Sequence, residues 1–470
     1  MDLRVLSDNE IERFRAKTEE ILANIGMRVC HPELRRLARA AGASIDEANE
    51  IVRIPPALLR GLLAAVPSTY AIAGPDGKEH VIGGDNQYCQ AIVTDPWIVD
   101  YQTQTLRRPC LDDVRHHTII AQKLDRVIGA SRMDFPVVDV PGPASSLRAL
   151  EEHLLHQSKH LFVYPASWPS YEQWLDIIEI LARGDSASAS KLVTLAAAVI
   201  SPLTVSEMNC ELLLSACAHG FRIIPTISTM AGTTGPYAKA AMLLQGNAEA
   251  IGLAALSQMI RPGNPYLYSW LGSVTDLRSG DDVYYTLDKA LWKPATAQLG
   301  RSYDLPVSLE CGGAMSYRYD QQNGAEGMLF MLSALASHPN ILAGLGSSYD
   351  GISMSAEMMV IQDAWLDAAH YLAQGIATDD LHMGLESIRR AGPGGNYLMD
   401  DLTLRFLRSD EFFEHALFDY AVGTEASRSM LQRAHERVED LLAEHDSPLP
   451  GTVQEQLRRY FAGQYRKLGV

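Results

Sequence analysis

The six cysteines, at positions 30, 89, 110, 210, 217 and 311, include no C-x-x-C pair and follow no regular framework. A disulfide scaffold and a zinc ribbon are therefore not expected. No window approaches eighteen uninterrupted apolar residues, which argues against a membrane-spanning helix. There is no basic block, and 57 acidic against 40 basic residues give a net charge of −17, so nucleic acid and anionic membrane are poor partners. No G-x-G-x-x-G follows the first strand, so a dinucleotide-binding fold is not favoured. The opening MDLRVLSDNEIERF is charged at once and carries no signal-peptide core; the chain reads as cytoplasmic.

What is present describes a folded protein with ample core: 470 residues, 47% hydrophobic and 21% charged. Ser7 to Glu10 is a capping box, and Ile11, Phe14, Ile21 and Ile25 recur at helical spacing behind it. Further helices are expected over 31–41 and 57–65, and a Gly-punctuated hairpin region follows from 69 to 108. The chain then alternates. Strands are expected at 127–133, 161–164, 192–200, 223–228, 266–271, 307–311 and 341–346, with 90–94 as a candidate eighth. Helices are expected at 145–158, 171–183, 207–219, 238–259, 287–302, 324–337 and 355–375. Repeated strand-then-helix units favour an α/β fold, a (β/α)8 TIM-type barrel. The expected organisation is an N-terminal helical layer (1–68), a β-hairpin region and entry to the barrel (69–120), the barrel (121–396) and a C-terminal helical extension (397–470). In the extension, Met430, Ala434, Val438 and Leu441 form a stripe on a helix over 425–444 that suits core or dimer contact.

In such a barrel the chemistry sits at the C-terminal ends of the strands. That rule selects Phe135, Tyr164, Ser201, Thr229, Trp270, Glu310 with Cys311, Gly312 and Gly313, and Ser347 to Tyr349. Tyr266, Tyr268 and Trp270 alternate along one strand face, with Leu267 and Leu271 on the other. Aromatic faces with a carboxylate bind a quaternary ammonium, each ring contributing about 0.5–2 kcal/mol. The plainer alternative is that these rings fill barrel layers. Cys217 with His219, and His153 with His156 and His160, look metal-like, but a packed cysteine and a solvated or capping histidine face are the expected readings. No metal site is assigned.

Four segments carry a family resemblance: GTTGPYAKAAMLLQGNAE (232–249), Asp276 to Gly280, Asp320 to Glu326 and Ser355 to Asp363. Asp100 with Arg107, Arg108, Pro109 and Asp113, then Lys159, then Ser201 to Leu203 with Glu207, precede them in order. Together they resemble the trimethylamine methyltransferase (MttB-like) family of corrinoid-dependent methyltransferases over about residues 11–442. The founding enzymes carry pyrrolysine; every position here is a standard amino acid, so the likeness is to the non-pyrrolysine branch, which includes demethylases of glycine betaine, proline betaine, carnitine and butyrobetaine. Asp380-Leu381-His382-Met383-Gly384 imitates a cobalamin-ligating motif but is one residue short, and reads as a helix-adjacent turn.

The resemblance implies methyl transfer from a quaternary amine, glycine betaine first, to cob(I)alamin carried by a separate corrinoid protein, the cobalamin being the partner's and not this chain's. Neither a catalytic nucleophile nor a bound metal is implied. Phe135, Tyr164, Tyr268, Trp270 and Tyr349 would hold the amine, and Glu310 would balance its charge. His156, Lys159 and Arg318 are candidates for the substrate carboxylate. Gly312 and Gly313 would admit the corrin ring. Asp320, Gln322, Glu326, Ser355 and Glu357 match family positions that contact corrinoid or pin helix starts. Alternatives are another methylated amine, a non-catalytic quaternary-amine-binding protein, and a barrel lyase using Lys159. A homo-oligomer is compatible with all of them.

Overall fold

Seven parallel strands curl into one sheet in a computed structural model that describes residues 1–93, 96–133, 135–419, 428–443 and 445–469. The strands are β1 (Tyr88–Ile92), β2 (Val127–Met133), β3 (His160–Tyr164), β4 (Val193–Ala198), β5 (Arg222–Thr226), β6 (Ser308–Glu310) and β7 (Ile341–Leu345). Their order is β5-β4-β3-β2-β1-β7-β6, with every pair parallel. Residues 266–270 close the circle through two single bridges, Ile223 to Tyr266 and Tyr268 to Val307. The strand expected at 90–94 is thus β1, between β2 and β7; Thr94 lies outside the described residues. This first barrel strand lies within 69–120, the segment expected to hold the hairpin region and the entry to the barrel.

Helices lie where the periodicity put them, within a few residues at each end. They include Ser145–Leu155, Trp168–Leu181, Glu207–His219, Lys239–Ile260, Lys289–Ser302, Gln321–Leu335 and Ala356–Gln374. Ser7 forms its capping box with Glu10, and the helix Asp8–Glu20 packs on Lys239–Ile260 beside Pro32–Ala41 and Pro56–Ala64. The helix Met430–Ala443 packs on Ala356–Gln374 through buried Ala434, Val438 and Leu441. A further helix, Gly451–Leu468, buries Val453, Leu457, Phe461 and Tyr465. The imitation cobalamin motif is one helical turn, Asp380–Met383, with Asp379 as its cap.

The hairpin of Thr69–Ala73 and Glu79–Gly83 plugs the N-terminal end of the barrel. Its Tyr70, Ile72 and Ile82 meet Ile128, Phe162, Ala196, Ile224, Leu267 and Ile341 inside. His160 and Arg222, the first residues of β3 and β5, bond to the Ala73 and Ala71 carbonyls at 3.0 Å each. Burial leaves His160, and likewise His153, neutral, with pKa values lowered to about 3; neither belongs to a solvated face.

Alternation along the closing segment decides what the barrel encloses. Leu267 belongs to the interior cluster, while Tyr266, Tyr268 and Trp270 belong to the core between barrel and helices. The expected aromatic face therefore points outward. Tyr268 Oη donates to Asn247 Oδ1 at 2.7 Å, and Tyr266 Oη to the Ala250 carbonyl at 2.7 Å. The Trp270 indole donates to Thr229 Oγ1 at 3.2 Å and lies in a notch at Gly246, where a Cβ would sit 1.8 Å from its nitrogen. The segment 232–249 is explained in the same way. Glu249 accepts from Ser201 Oγ (2.8 Å), the Leu203 amide (2.8 Å) and Gln245 Nε2 (3.0 Å), pinning the turn after β4.

Trp270→Ala opens a void in a layer that only tertiary packing fills, and should cost about 3–5 kcal/mol of stability. Equilibrium denaturant unfolding measures this; an unchanged midpoint and slope would contradict the outward placement of the indole.

Candidate active site

The last residues of the strands surround a cavity of about 230 Å³ at the C-terminal end of the barrel. Gln90 and Ile92 of β1, Ser131 of β2, Tyr164 of β3, Thr226 of β5 and Ser308 and Glu310 of β6 line it, with Ser269 from the closing segment and Ser347 after β7. Inward alternation supplies each of them. Small hydroxyl side chains leave the space open, and three tyrosines, Tyr164, Tyr284 and Tyr285, supply its rings.

Tyr284 and Tyr285 follow a short strand, Asp282–Val283, that pairs with Leu271–Thr275. Asp350 fixes them by accepting the Tyr284 amide at 2.5 Å and the Tyr285 amide at 3.4 Å. Gly313 has φ +101°, and a Cβ there would lie 1.9 Å from the Tyr285 ring. A glycine is thus required for Tyr285 to enter the wall.

Glu310 carries the charge of the cavity. Lys289, the first residue of its helix, donates to one carboxylate oxygen at 2.8 Å, and Tyr284 Oη to the other at 2.5 Å. The Lys289 ammonium also lies 3.2 Å from the Tyr284 ring centre, with its side chain only 4% exposed. Burial alone would raise the Glu310 carboxyl, but the ammonium groups of Lys289 and Lys293 outweigh it and hold the group below its ordinary range. Burial lowers Lys289 against the pull of Glu310. One turn on, Lys293 is 5% exposed, its ammonium 4.3 Å from the Phe330 ring centre and without a hydrogen-bond acceptor among the described residues. Burial lowers its pKa to about 7.

Of the residues expected from sequence, Tyr164 and Glu310 line the cavity. Tyr268 and Trp270 do not, because they face the helices. Phe135, half-buried, accepts from Arg132 through its carbonyl at 2.7 Å. Tyr349 meets Tyr317 edge-on at 5.4 Å, one residue before Asp350. Gly312 is buried under the Gly344 carbonyl, so Gly312 and Gly313 make packing contacts and not an open approach. The three candidates for a substrate carboxylate lie elsewhere. His156 bonds to His445 at 2.8 Å; Lys159 caps the helix Leu111–Lys123 through the Ala121 and Leu124 carbonyls at 2.9 and 2.7 Å; and Arg318 is 70% exposed beside Asp320.

Asp320 and Ser355 are N-caps, accepting from the Asn323 and Met358 amides. Gln322 donates to Glu326, which accepts the Met315 amide at 2.8 Å. Glu357 accepts from His435 at 2.8 Å. These five pin helix starts and their neighbours. Sequence reasoning missed Gln90, Tyr284, Tyr285, Lys289 and Lys293. The paired tyrosines after a strand, and two lysines four apart among Ala290, Trp292 and Ala295, were the available signals.

A family model described as trimethylamine methyltransferase (MTTB) matches residues 1–469. The chain is 24% identical over 471 residues to trimethylamine methyltransferase MttB of Methanosarcina thermophila, covering 97% of each. It is 25% identical over 474 residues to the glycine betaine methyltransferase of Desulfitobacterium hafniense strain Y51, covering 99% of this chain and 98% of that one. Among solved structures, the Methanosarcina barkeri monomethylamine methyltransferase (MtmB) aligns with a TM-score of 0.48 at 13% identity, over 94% of this chain and 95% of that one.

Lys293 makes stability depend on pH in a defined direction. Its folded pKa of about 7 lies below its ordinary 10.5, so between those values the unfolded chain binds more protons and stability rises with pH. Lys293→Met should stabilise the protein by up to roughly 4–5 kcal/mol at pH 7, with the gain vanishing by about pH 10.5. Denaturant unfolding of both proteins across that window is the measurement; a gain that does not change with pH would count against it.

Proposed function

We propose, from the premise that this chain belongs to the trimethylamine methyltransferase (MTTB) family and is a methyltransferase, that it moves a methyl group from a quaternary amine to the cob(I)alamin of a separate corrinoid protein. The observation that carries this reading is an ionised carboxylate, Glu310, set among Tyr164, Tyr284 and Tyr285 in a small cavity at the catalytic end of the barrel. Rings and a fixed carboxylate suit a cation that has no N–H to donate. A volume of 230 Å³, below the roughly 300–1,000 Å³ of pockets for drug-sized ligands, admits a small amine. A macrocycle meets it only from the open end.

In this reaction the C–N bond breaks as the methyl carbon bonds to cobalt, and both electrons of the C–N bond stay on nitrogen. The amine leaves neutral and needs no proton. The task of the protein is to hold the methyl group toward the mouth and exclude water. Tyr284 and Glu310 hold the nitrogen end, and Lys289 keeps Glu310 ionised. The expectation of glycine betaine in particular asked for a donor to the substrate carboxylate; the candidates named for it, His156, Lys159 and Arg318, are not among the lining residues.

The test mixes the purified protein with chemically reduced cob(I)alamin and a panel of quaternary amines, then repeats it with a reconstituted corrinoid protein. Methylcobalamin formation, followed by absorbance, is expected with at least one amine, and Glu310→Gln should lower kcat/KM by about 10–100-fold. Amine binding without methyl transfer in both formats would favour a non-catalytic binding protein instead.

A further inference from the structure

Resting on the reading of this cavity as a quaternary-amine site, we infer that the substrate arm beyond the nitrogen ends in a hydroxyl, as in choline, and not in a carboxylate, as in a betaine. Glu310 is the one charged side chain among the described residues that line the cavity; no lysine, arginine or histidine is among them. The residues outside the description (Thr94, Asp95, Asp134, 420–427, Glu444 and Val470) include none of those three types either. Lys289 stands behind Glu310, already bound to its carboxylate and covering the Tyr284 ring. A substrate carboxylate would therefore place a second negative charge beside Glu310 with no cation on the lining to meet it, since Lys289 is bound to Glu310 and Lys293 lies against the Phe330 ring, off the lining.

A second observation concerns Gln90, level with Glu310 and two strands round the barrel from it. Gln90 lines the cavity, is 2% exposed, and its Oε1 receives no hydrogen bond from any described residue. A buried acceptor asks for a donor. The Gln90 amide also meets the Tyr164 hydroxyl; of a quaternary amine, whose nitrogen has no N–H, only the arm can donate to it. A hydroxyl donates to Gln90 Oε1 and can also accept from a lining serine such as Ser308, whereas a carboxylate accepts only. Both observations select the same arm.

Calorimetric titration of the full chain with choline, tetramethylammonium and glycine betaine tests this without any corrinoid. Choline should bind at least ~10-fold more tightly than glycine betaine. Gln90→Leu should shrink the preference for choline over tetramethylammonium by ~5–10-fold, while Gln90→Glu, which keeps the acceptor and the shape, should retain it and weaken glycine betaine further. Glycine betaine binding as tightly as choline, or methylating cob(I)alamin where choline does not, overturns this inference and leaves the methyl-transfer reading standing. Failure of all three to bind overturns this inference, and failure across the whole quaternary-amine panel overturns the methyl-transfer reading as well.

Discussion

The closure of the barrel rests on residues 266–270, a segment held to its neighbours by only two bridges and otherwise by the packing of its own side chains. Three large rings, Tyr266, Tyr268 and Trp270, are locked between this segment and the helix Lys239–Ile260, two of them through hydroxyl hydrogen bonds to that helix and the third in the Gly246 notch. Because side chains alternate with period two, this phase places Leu267, Ser269 and Leu271 inside. A slip of one residue would turn the indole into the space that Ser269 leaves open. The cavity exists because the bulk of this strand faces away from it.

With the closing strand contributing no ring, the aromatic wall comes from elsewhere. Tyr284 and Tyr285 enter from the segment after the outer strand Asp282–Val283, held by Asp350 and admitted by Gly313. This arrangement couples ring position to charge. The same Tyr284 whose amide Asp350 holds donates its hydroxyl to Glu310, and Lys289 touches both the ring and the carboxylate. A buried carboxyl without those partners would take up a proton. Two lysines on one helix face keep it ionised, and Lys293 bears the cost as a cation with no acceptor of its own among the described residues.

Much of the fold was legible in the residues. The strand-helix alternation, the Ser7 capping box and the caps at Asp320 and Ser355 are local signals, and local hydrogen bonds produce them. The phase of 266–271 was not legible. Tyr, Leu, Tyr, Ser, Trp and Leu read as apolar on both faces, so only the helix packed outside decides which face is inside. The lysines at 289 and 293 were invisible for a related reason. Two lysines four apart ordinarily mark a solvated face, and only Glu310, twenty-one residues after the first of them, makes burial tolerable. The helix Gly451–Leu468 could have been read from its apolar residues four apart, Val453, Leu457, Phe461 and Tyr465.

On the methyl-transfer reading, the pairing of Glu310 with Lys289 also bears on rate. The nitrogen loses its positive charge as the methyl group leaves, so an interaction that holds the full cation strongly stabilises the ground state more than the transition state. A lone ionised carboxylate beside the ammonium would be such an interaction. Here Lys289 shares the Glu310 carboxylate at 2.8 Å, which reduces its field at the amine without removing it, and ring faces whose attraction is individually about 0.5–2 kcal/mol supply the rest. Weak, shape-directed binding in a dry cavity orients the methyl group while leaving the charge free to disappear. The ion pair lets one site recognise a cation without trapping it.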